Sequence, residues 1–268
     1  GSYFGKYVHS ADDLFLAGRS LPFWAIGMSI VVSVIGAIDM MTGAGAAYQR
    51  GIAQANFDWL GSAPALLLAA FIFVPYYWRA GVYTLPEFLG RRYNGPTRWI
   101  LASVLLLFLL LTLSIMLWMS AVFLKNVLGW NYTTGIWVTA AVVGIYTVSG
   151  GLSAVVMTDV MQLVVMFVGT ASLVTLGLWE VGGWSGLQHQ VLGQPEVSED
   201  YFKLLLPHEP GSEYPWPGMV FSLGIIMSTA YYVGNQAVMQ RALGARTEWD
   251  AKAGLLTAGL FKLMIPFL

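Results

Sequence analysis

Four ionisable residues lie inside or at the edge of strongly apolar stretches of this sequence. They are Asp39, Asp58, Asp159 and Lys262. A charged side chain at the centre of a bilayer costs roughly 2.5–3.5 kcal/mol on insertion scales, so such residues usually mark a functional polar site. Carboxylates and an ammonium group are suited to the reversible binding of an ion or a polar solute.

Asp39 is the most informative of the four, because it lies in the middle of an apolar stretch that also contains Gly36, Gly43 and Gly45. Glycine costs about 1 kcal/mol relative to alanine in a helix interior. Small residues also allow neighbouring helices to pack closely, which is the alternative explanation. The carboxylate favours a broken helix lining a polar cavity, where freed carbonyls coordinate sodium and half-helix ends hold a substrate.

The other three residues each have a structural alternative. Asp58 lies beside Trp59, and an interfacial carboxylate next to a membrane-belt tryptophan explains it equally well. Asp159 opens an apolar stretch, and an acid near a helix N-terminus is stabilised by the helix dipole. Lys262 is too deep to reach water easily, so it needs a carboxylate, a carbonyl or a bound solute as its partner.

No catalytic motif accompanies these residues. The sequence contains no Gly-x-Ser-x-Gly elbow, no His-Glu-x-x-His and no Walker loop. It has no cysteine, and His9, His189 and His208 lie in polar stretches without the spacing of metal ligands. The net charge of −1 gives no sign of a nucleic-acid partner. We therefore expect a protein that is not an enzyme and has no metal site other than one for sodium.

Membrane-spanning helices must position the four ionisable residues. Hydrophobic residues make up 57% of the sequence and charged residues 10%, whereas a soluble domain carries roughly 25% charged residues. The apolar stretches do not alternate with a period of two, which indicates helices rather than barrel strands. The last run is shorter than the about 20 residues that cross a bilayer, so we expect six full spans and the start of a seventh. The stretches are 21–48, 56–78, 99–124, 132–148, 155–179, 216–240 and, from near Ala251, the start of the seventh.

Lysine and arginine are distributed unequally between the two sides of these spans. If residues 1–20 are cytoplasmic, nine lysines and arginines lie on that side and three on the other. The positive-inside rule then predicts a multi-pass protein of the cell (inner or plasma) membrane, with the loops near 79–98, 149–154 and 241–252 in the cytoplasm. The acidic segment 180–214 is predicted to be a solvated loop on the opposite side.

Several long motifs resemble, in order, those of the sodium:solute symporter family. Residues 12–24 are similar to the entry to the first core helix, 81–93 to the segment after the second, and 146–162 to the junction of the fourth and fifth. Residues 214–218 and 240–246 look most like the sodium/glucose cotransporter branch. The resemblance covers essentially the whole chain.

The resemblance implies an all-α integral membrane protein with the leucine-transporter-like fold, a bundle of two inverted five-helix repeats. It divides the chain into a cytoplasmic leader or tail of a missing helix (1–20), the first repeat (21–182), an extracellular loop (183–214) and the start of the second repeat (215–268). Family members usually have one helix before this core and several after it. We therefore expect the sequence to be a fragment that lacks both.

The resemblance also implies the site residues. The backbone carbonyls of Val32 and Ile35 would supply half of the main sodium site, and Asp159 matches an acid implicated in sodium coupling or release. Tyr231 matches an inner-gate aromatic, and adjacent Tyr232 makes a one-residue shift possible. The positions that match substrate contacts are Asp39, Asp58, Ser228, Tyr231 and Lys262.

The function that the resemblance implies is sodium-coupled import of a small polar solute, most simply a sugar or polyol, by alternating access. Na+ is the coupling ion, the lipid bilayer is the setting, and no obligatory protein partner is implied. Asp58 with Lys262 suits a sugar, because hydroxyl groups both donate and accept hydrogen bonds.

One departure from the family pattern leaves the solute open. The position of Asp39 is usually uncharged in sugar transporters, and a carboxylate there disfavours anionic solutes and would suit a cationic or amino solute such as choline. A membrane sensor that detects a solute with the same fold is the alternative from another functional class.

Overall fold

The computed structural model describes residues 10–194, 197–206 and 214–267. His9 and His208 lie outside the described residues. Most of the acidic residues predicted in the 180–214 loop also lie outside them or have side chains that are not described. Within these ranges the chain is helical and contains no β-strand, only two isolated bridges. The helices are α1 (Ala11–Leu16), α2 (Phe23–Ser33), α3 (Ala37–Arg50), α4 (Ile52–Ala80), α5 (Leu85–Arg92), α6 (Gly95–Leu128), α7 (Tyr132–Glu180), α8 (Gly183–Leu192), α9 (Gly218–Gly234), α10 (Gln236–Leu243) and α11 (Glu248–Met264).

In the described part of the chain, three helices are long and apolar enough to cross a membrane. They are α4, α6 and α7, with 29, 34 and 49 residues. The predicted fourth and fifth spans are joined in α7, and the predicted first and sixth spans are each divided into two shorter helices. These divisions explain why fewer helices reach spanning length than the hydropathy pattern predicts.

The backbone of α7 leaves the helical conformation at Gly151, inside the corner predicted between the fourth and fifth spans. This residue has φ 59° and ψ −160°, a conformation that glycine adopts without steric cost. A Cβ atom here would lie 2.9 Å from the carbonyl oxygen of Leu14. Glycine is therefore required both for the turn and for the close approach of α1.

Two prolines shape α4. Proline has no N–H group, and its ring clashes with the carbonyl four residues earlier. The helix widens into π-type hydrogen bonding at Phe57–Ser62 and at Ala69–Phe73, just before Pro64 and Pro75. The first widened turn carries Asp58, and α9 packs against it so closely that a Cβ on Gly224 would lie 2.3 Å from the Leu60 carbonyl oxygen.

Helix α2 packs directly on α11, which brings the first and seventh predicted spans together. A Cβ atom on Gly27 would lie 2.6 Å from Cβ of Thr257, and one on Gly254 would lie 2.5 Å from Cγ2 of Ile26. The interface is a core of fully buried side chains that includes Ile26 and Leu255. This contact fixes the height of Lys262 relative to the end of α2.

A loop between α8 and α9 holds the far end of α3. The Tyr201 hydroxyl lies 2.9 Å from the carbonyl oxygens of both Ala47 and Tyr48, and its one proton is shared between them. Asn56, which is buried, donates to the Leu204 carbonyl at 2.6 Å. No residue with a described side chain in α3 is buried. Partly buried Met40 packs against the core near the start of the helix, and the loop contacts position its far end.

Candidate functional site

The predicted first span is interrupted between α2 and α3, over Val34, Ile35 and Gly36. In a continuous helix the Gly36 N–H would donate to the Val32 carbonyl. It donates instead to the Asp39 carboxylate at 2.7 Å. The Asp39 N–H donates to the Gly36 carbonyl at 3.1 Å rather than to that of Ile35. The break therefore takes the Val32 and Ile35 carbonyls, the expected sodium ligands, out of the regular α-helical pairing, and the Val32 carbonyl instead accepts a longer hydrogen bond from the Ile35 N–H at 3.4 Å.

The first predicted span is interrupted, as its glycines and its carboxylate predicted. Two of the three glycines, however, do not lie at the interruption. Gly43 and Gly45 lie within α3, with open space where a Cβ atom would be. Only Gly36 lies at the break itself. Asp39 is exposed and occupies the first turn of α3, where it satisfies a free N–H group. Part of its role is therefore structural.

Asp58 and Lys262 form the ion pair that the sequence suggested. The Lys262 Nζ atom lies 2.8 Å from Oδ1 of Asp58. The side chain of Lys262 is 10% exposed and that of Asp58 is 22% exposed, so the pair joins α4 and α11 with little contact to water. A charge held this far from water depends on its partner. The partial exposure of the carboxylate leaves room for a further hydrogen-bonding group.

Tyr232, rather than Tyr231, is the buried aromatic beside this pair. Tyr232 is 3% exposed and Tyr231 is 41% exposed, and their rings meet edge to face with centroids 5.5 Å apart. The Tyr232 hydroxyl lies near Ser62, and the hydroxyl groups of both tyrosines lie close enough to Lys262 to interact with its charge. Ser228 lies half-buried one turn earlier on the same helical segment. Tyr232 is thus the more buried of the two, and the assignment of the inner-gate aromatic to either tyrosine stays a prediction.

Asp159 lies in a second polar cluster, at the end of α2 that precedes the break. Its Oδ2 atom accepts hydrogen bonds from Oγ of Ser29 at 2.5 Å and from Nη2 of Arg241 at 2.9 Å, with Oγ of Ser33 at 3.5 Å. The Arg241 Nε donates to the same Ser29 hydroxyl at 2.5 Å. Both charged side chains are less than one-tenth exposed. The cluster thus ties α2, α7 and α10 together.

Arg241 is the functional candidate that sequence reasoning missed. The sequence offered it only as one of the positive charges of the 241–252 loop, whereas the structure shows it buried, with 7% of the residue exposed. The sequence did contain a signal for it. A buried Asp159 needs a cation as its partner, and Arg241 directly follows the sixth apolar stretch. The hydrogen bond from Nη1 to the Ala237 carbonyl holds the guanidinium in place.

Further ion pairs lie at the same end of the molecule as Arg241. Arg79 contacts Glu248 through two hydrogen bonds of 2.7 and 3.0 Å, and Lys252 contacts the same carboxylate at 2.7 Å. Hydrogen bonds from these two cations lower the pKa of Glu248 to about 2. Glu248 therefore stays ionised over the physiological range, so the link between the end of α4 and the start of α11 does not depend on pH there.

Comparison with known proteins adds an independent line of evidence. Residues 14–268 match the sodium:solute symporter family. Sodium/glucose cotransporter 1 of Oryctolagus cuniculus is 34% identical over 277 residues, covering 97% of this chain and 41% of the relative. The sodium/glucose cotransporter of Vibrio parahaemolyticus is 32% identical over 262 residues, covering 97% of this chain and 48% of the relative. The chain thus spans less than half the length of these relatives.

A solved structure has the same fold. A Na+-coupled sialic acid symporter, in a substrate-bound outward-open state, matches with a TM-score of 0.82 over 99% of this chain and 54% of that chain. The identity is 23%, so the likeness concerns the fold alone. It confirms the predicted all-helical, leucine-transporter-like architecture.

Proposed function

Because the chain belongs to the sodium:solute symporter family, we propose that the full protein imports a small polar solute together with sodium by alternating access. Members of this family are multi-pass membrane transporters rather than enzymes, and sodium is the coupling ion. The chain covers under half of its sodium/glucose cotransporter relatives. Transport is therefore proposed for the complete protein.

The Asp58–Lys262 pair carries the proposal of a sugar or polyol. An ammonium group donates hydrogen bonds and a carboxylate accepts them, and a hydroxyl group can do both. A sugar can therefore bridge or join this pair without leaving either group unsatisfied. The relatives named sodium/glucose cotransporters support the same choice. Asp39, within electrostatic range of Lys262, adds negative charge and disfavours an anionic solute.

The break between α2 and α3 supports a sodium site. Carbonyl oxygens freed from helical pairing are ligands that sodium sites in broken membrane helices use. The Val32 and Ile35 carbonyls would supply such oxygens. Asp159 would act on this site through α2, because it binds Ser29 and approaches Ser33, the last residue before the break. In this proposal Asp159, which lies on α7, links the position of α2 to the positions of α7 and α10.

Alternating access gives the Asp159–Arg241 cluster a second role. We place it on the cytoplasmic side, as the positive-inside rule predicts. There it ties α2 to α7 and α10, so release of the solute to the cytoplasm requires these helices to separate. Sodium binding shifts the population towards the outward-facing state, in which this cluster is intact.

The test is uptake by the full-length protein in liposomes. Labelled D-glucose, a polyol and an amino compound are offered under an inward sodium gradient and under potassium or choline. Uptake of one of them should require sodium and should collapse in Asp39→Ala. Potassium is included because choline is itself a candidate solute. Equal uptake without sodium would exclude the proposal, and binding without any uptake would favour the sensor alternative.

The exposed carboxylate of Asp39 supports one alternative solute class. A cationic or amino compound such as choline would complement its charge, whereas a neutral sugar would not need it. Competition separates the two classes, because unlabelled choline should inhibit uptake at low concentration only if the cation is the substrate. An excess of choline that leaves sugar uptake unchanged would exclude it.

A further inference from the structure

The first turn of α6 extends to the depth of lipid headgroups. At about 1.5 Å per residue the 34-residue helix is about 50 Å long, whereas the hydrocarbon core is about 30 Å thick. Its most apolar stretch has no residue buried within the described part of the chain. One side of the helix packs on α7, where a Cβ atom on Gly135 would lie 3.1 Å from Cα of Ala121. Its other sides are largely exposed in the described part of the chain, and its ends reach beyond the hydrocarbon.

Four exposed residues mark this end of the helix, and we call them the basic foot. They are Arg92, Tyr93, Arg98 and Trp99. The two aromatic side chains are 65% and 73% exposed. Exposed tyrosine and tryptophan at the end of a membrane helix are typical of the interface, where an amphipathic ring lies among headgroups.

The two arginines of the basic foot have no acidic partner among the described residues. Neighbouring arginines do have one: Arg79 pairs with Glu248, and Arg91 with Glu87. Arg92 lies over the Tyr93 ring, 5.8 Å from its centroid. The basic foot therefore carries positive charge that the described chain does not neutralise.

Packing holds these charges in a defined place. A Cβ atom on Gly90 would lie 2.8 Å from Cβ and 3.0 Å from Cδ of Arg98. The aliphatic part of the Arg98 side chain thus packs on α5 at Gly90, which is two positions before Arg92 in the sequence. The Asn94 side chain caps α6 by accepting a hydrogen bond from the Thr97 N–H at 2.9 Å, which fixes the short connection between the two arginines.

We propose that the basic foot binds the headgroup phosphate of an anionic phospholipid. A guanidinium group presents parallel donors that match the oxygens of a phosphate. Clustered basic residues beside a membrane helix attract anionic lipid. The charge, the exposed aromatic side chains and the lipid-facing helix above them all fit a phospholipid better than a soluble anion.

The test is native mass spectrometry of the full-length protein, released from nanodiscs that contain equal phosphatidylglycerol and phosphatidylcholine. The wild type should retain phosphatidylglycerol in preference. Arg92→Gln with Arg98→Gln should reduce that retention roughly tenfold, and Arg98→Gln alone should reduce it in part. Lys125→Gln is the control at the other end of α6, where the ammonium lies 4.0 Å from the centroid of the Tyr132 ring, and it should change nothing.

Three results would overturn the proposal. They are no preference for phosphatidylglycerol in the wild type, an equal loss in the Lys125→Gln control, and displacement of the lipid by millimolar inorganic phosphate, which would indicate a site for a free anion. Sodium-dependent uptake and the melting temperature should be unchanged in the arginine variants. Unchanged values would show that these variants fold.

Discussion

Replacing Arg241 by glutamine is expected to destabilise the full-length protein by about 3–5 kcal/mol, because this change leaves a buried carboxylate without its cation. Asp159 would keep its hydrogen bond from Ser29 but lose the guanidinium 2.9 Å away. Sodium-coupled uptake should fall to background in the same variant, because α2 is no longer tied to α10. Asp159→Ala should abolish coupled uptake as well.

Thermal melting in detergent and uptake in liposomes measure the two effects. Arg246→Gln is the matched control, since the Arg246 side chain is 54% exposed, whereas that of its partner Asp250 is 6% exposed. Asp250 keeps its hydrogen bonds with Thr247 and the Phe23 N–H in this variant, so we expect a smaller loss of stability than in Arg241→Gln. The double variant Asp159→Asn with Arg241→Gln should recover part of the stability because neither charge remains. Equal stability of Arg241→Gln and Arg246→Gln would show that the buried pair is not what holds these helices.

Replacing Lys262 by glutamine is expected to raise the KM for the solute roughly ten- to a hundredfold. A hydrogen bond to a charged group contributes about 1.5–3 kcal/mol, and the change also removes the counter-charge of Asp58 at 2.8 Å. The dependence of uptake on sodium concentration should change little. The reason is that the proposed sodium ligands are carbonyls at the break and not the side chains of this pair.

The double variant Asp58→Asn with Lys262→Gln separates a solute-binding role from a structural one. If the pair serves only to neutralise two buried charges, removal of both should restore the KM. If both side chains bind the solute, the KM should stay high even though the protein melts as the wild type does. Lys125→Gln is the control for the loss of one lysine. A normal KM in Lys262→Gln would remove this residue from the solute site.

The ionisable residues and the helical class could be predicted from the sequence, because a bilayer sets a high cost on buried charge and on unpaired backbone groups. The pairing of Asp58 with Lys262 followed from the same cost together with the family resemblance. The break in the first span was predicted from Asp39 and its glycines, but its exact place was not. The position depends on the carboxylate capping Gly36, which is a local hydrogen bond that hydropathy does not report.

Two features depended on tertiary packing and could not be read from the sequence pattern. Arg241 contacts Asp159, which lies 82 positions earlier in the chain. A polar loop was the simpler interpretation of the sequence around Arg241. The face of Tyr232 depends on the π-type turns of Gly218–Ser228, which change the angle per residue from that of an α-helix. The family resemblance, which matched Tyr231, does not report which of the two tyrosines is the buried one.

The entry of radioactive sodium into liposomes tests most directly whether the break and the Asp58–Lys262 pair serve one coupled transport site. The full-length protein should admit sodium faster when the transported solute is present outside, in a fixed ratio to solute uptake. In Lys262→Gln this stimulation should need roughly ten- to a hundredfold more solute. Sodium entry that is unaffected by every sugar, polyol and amino compound tried would contradict the account.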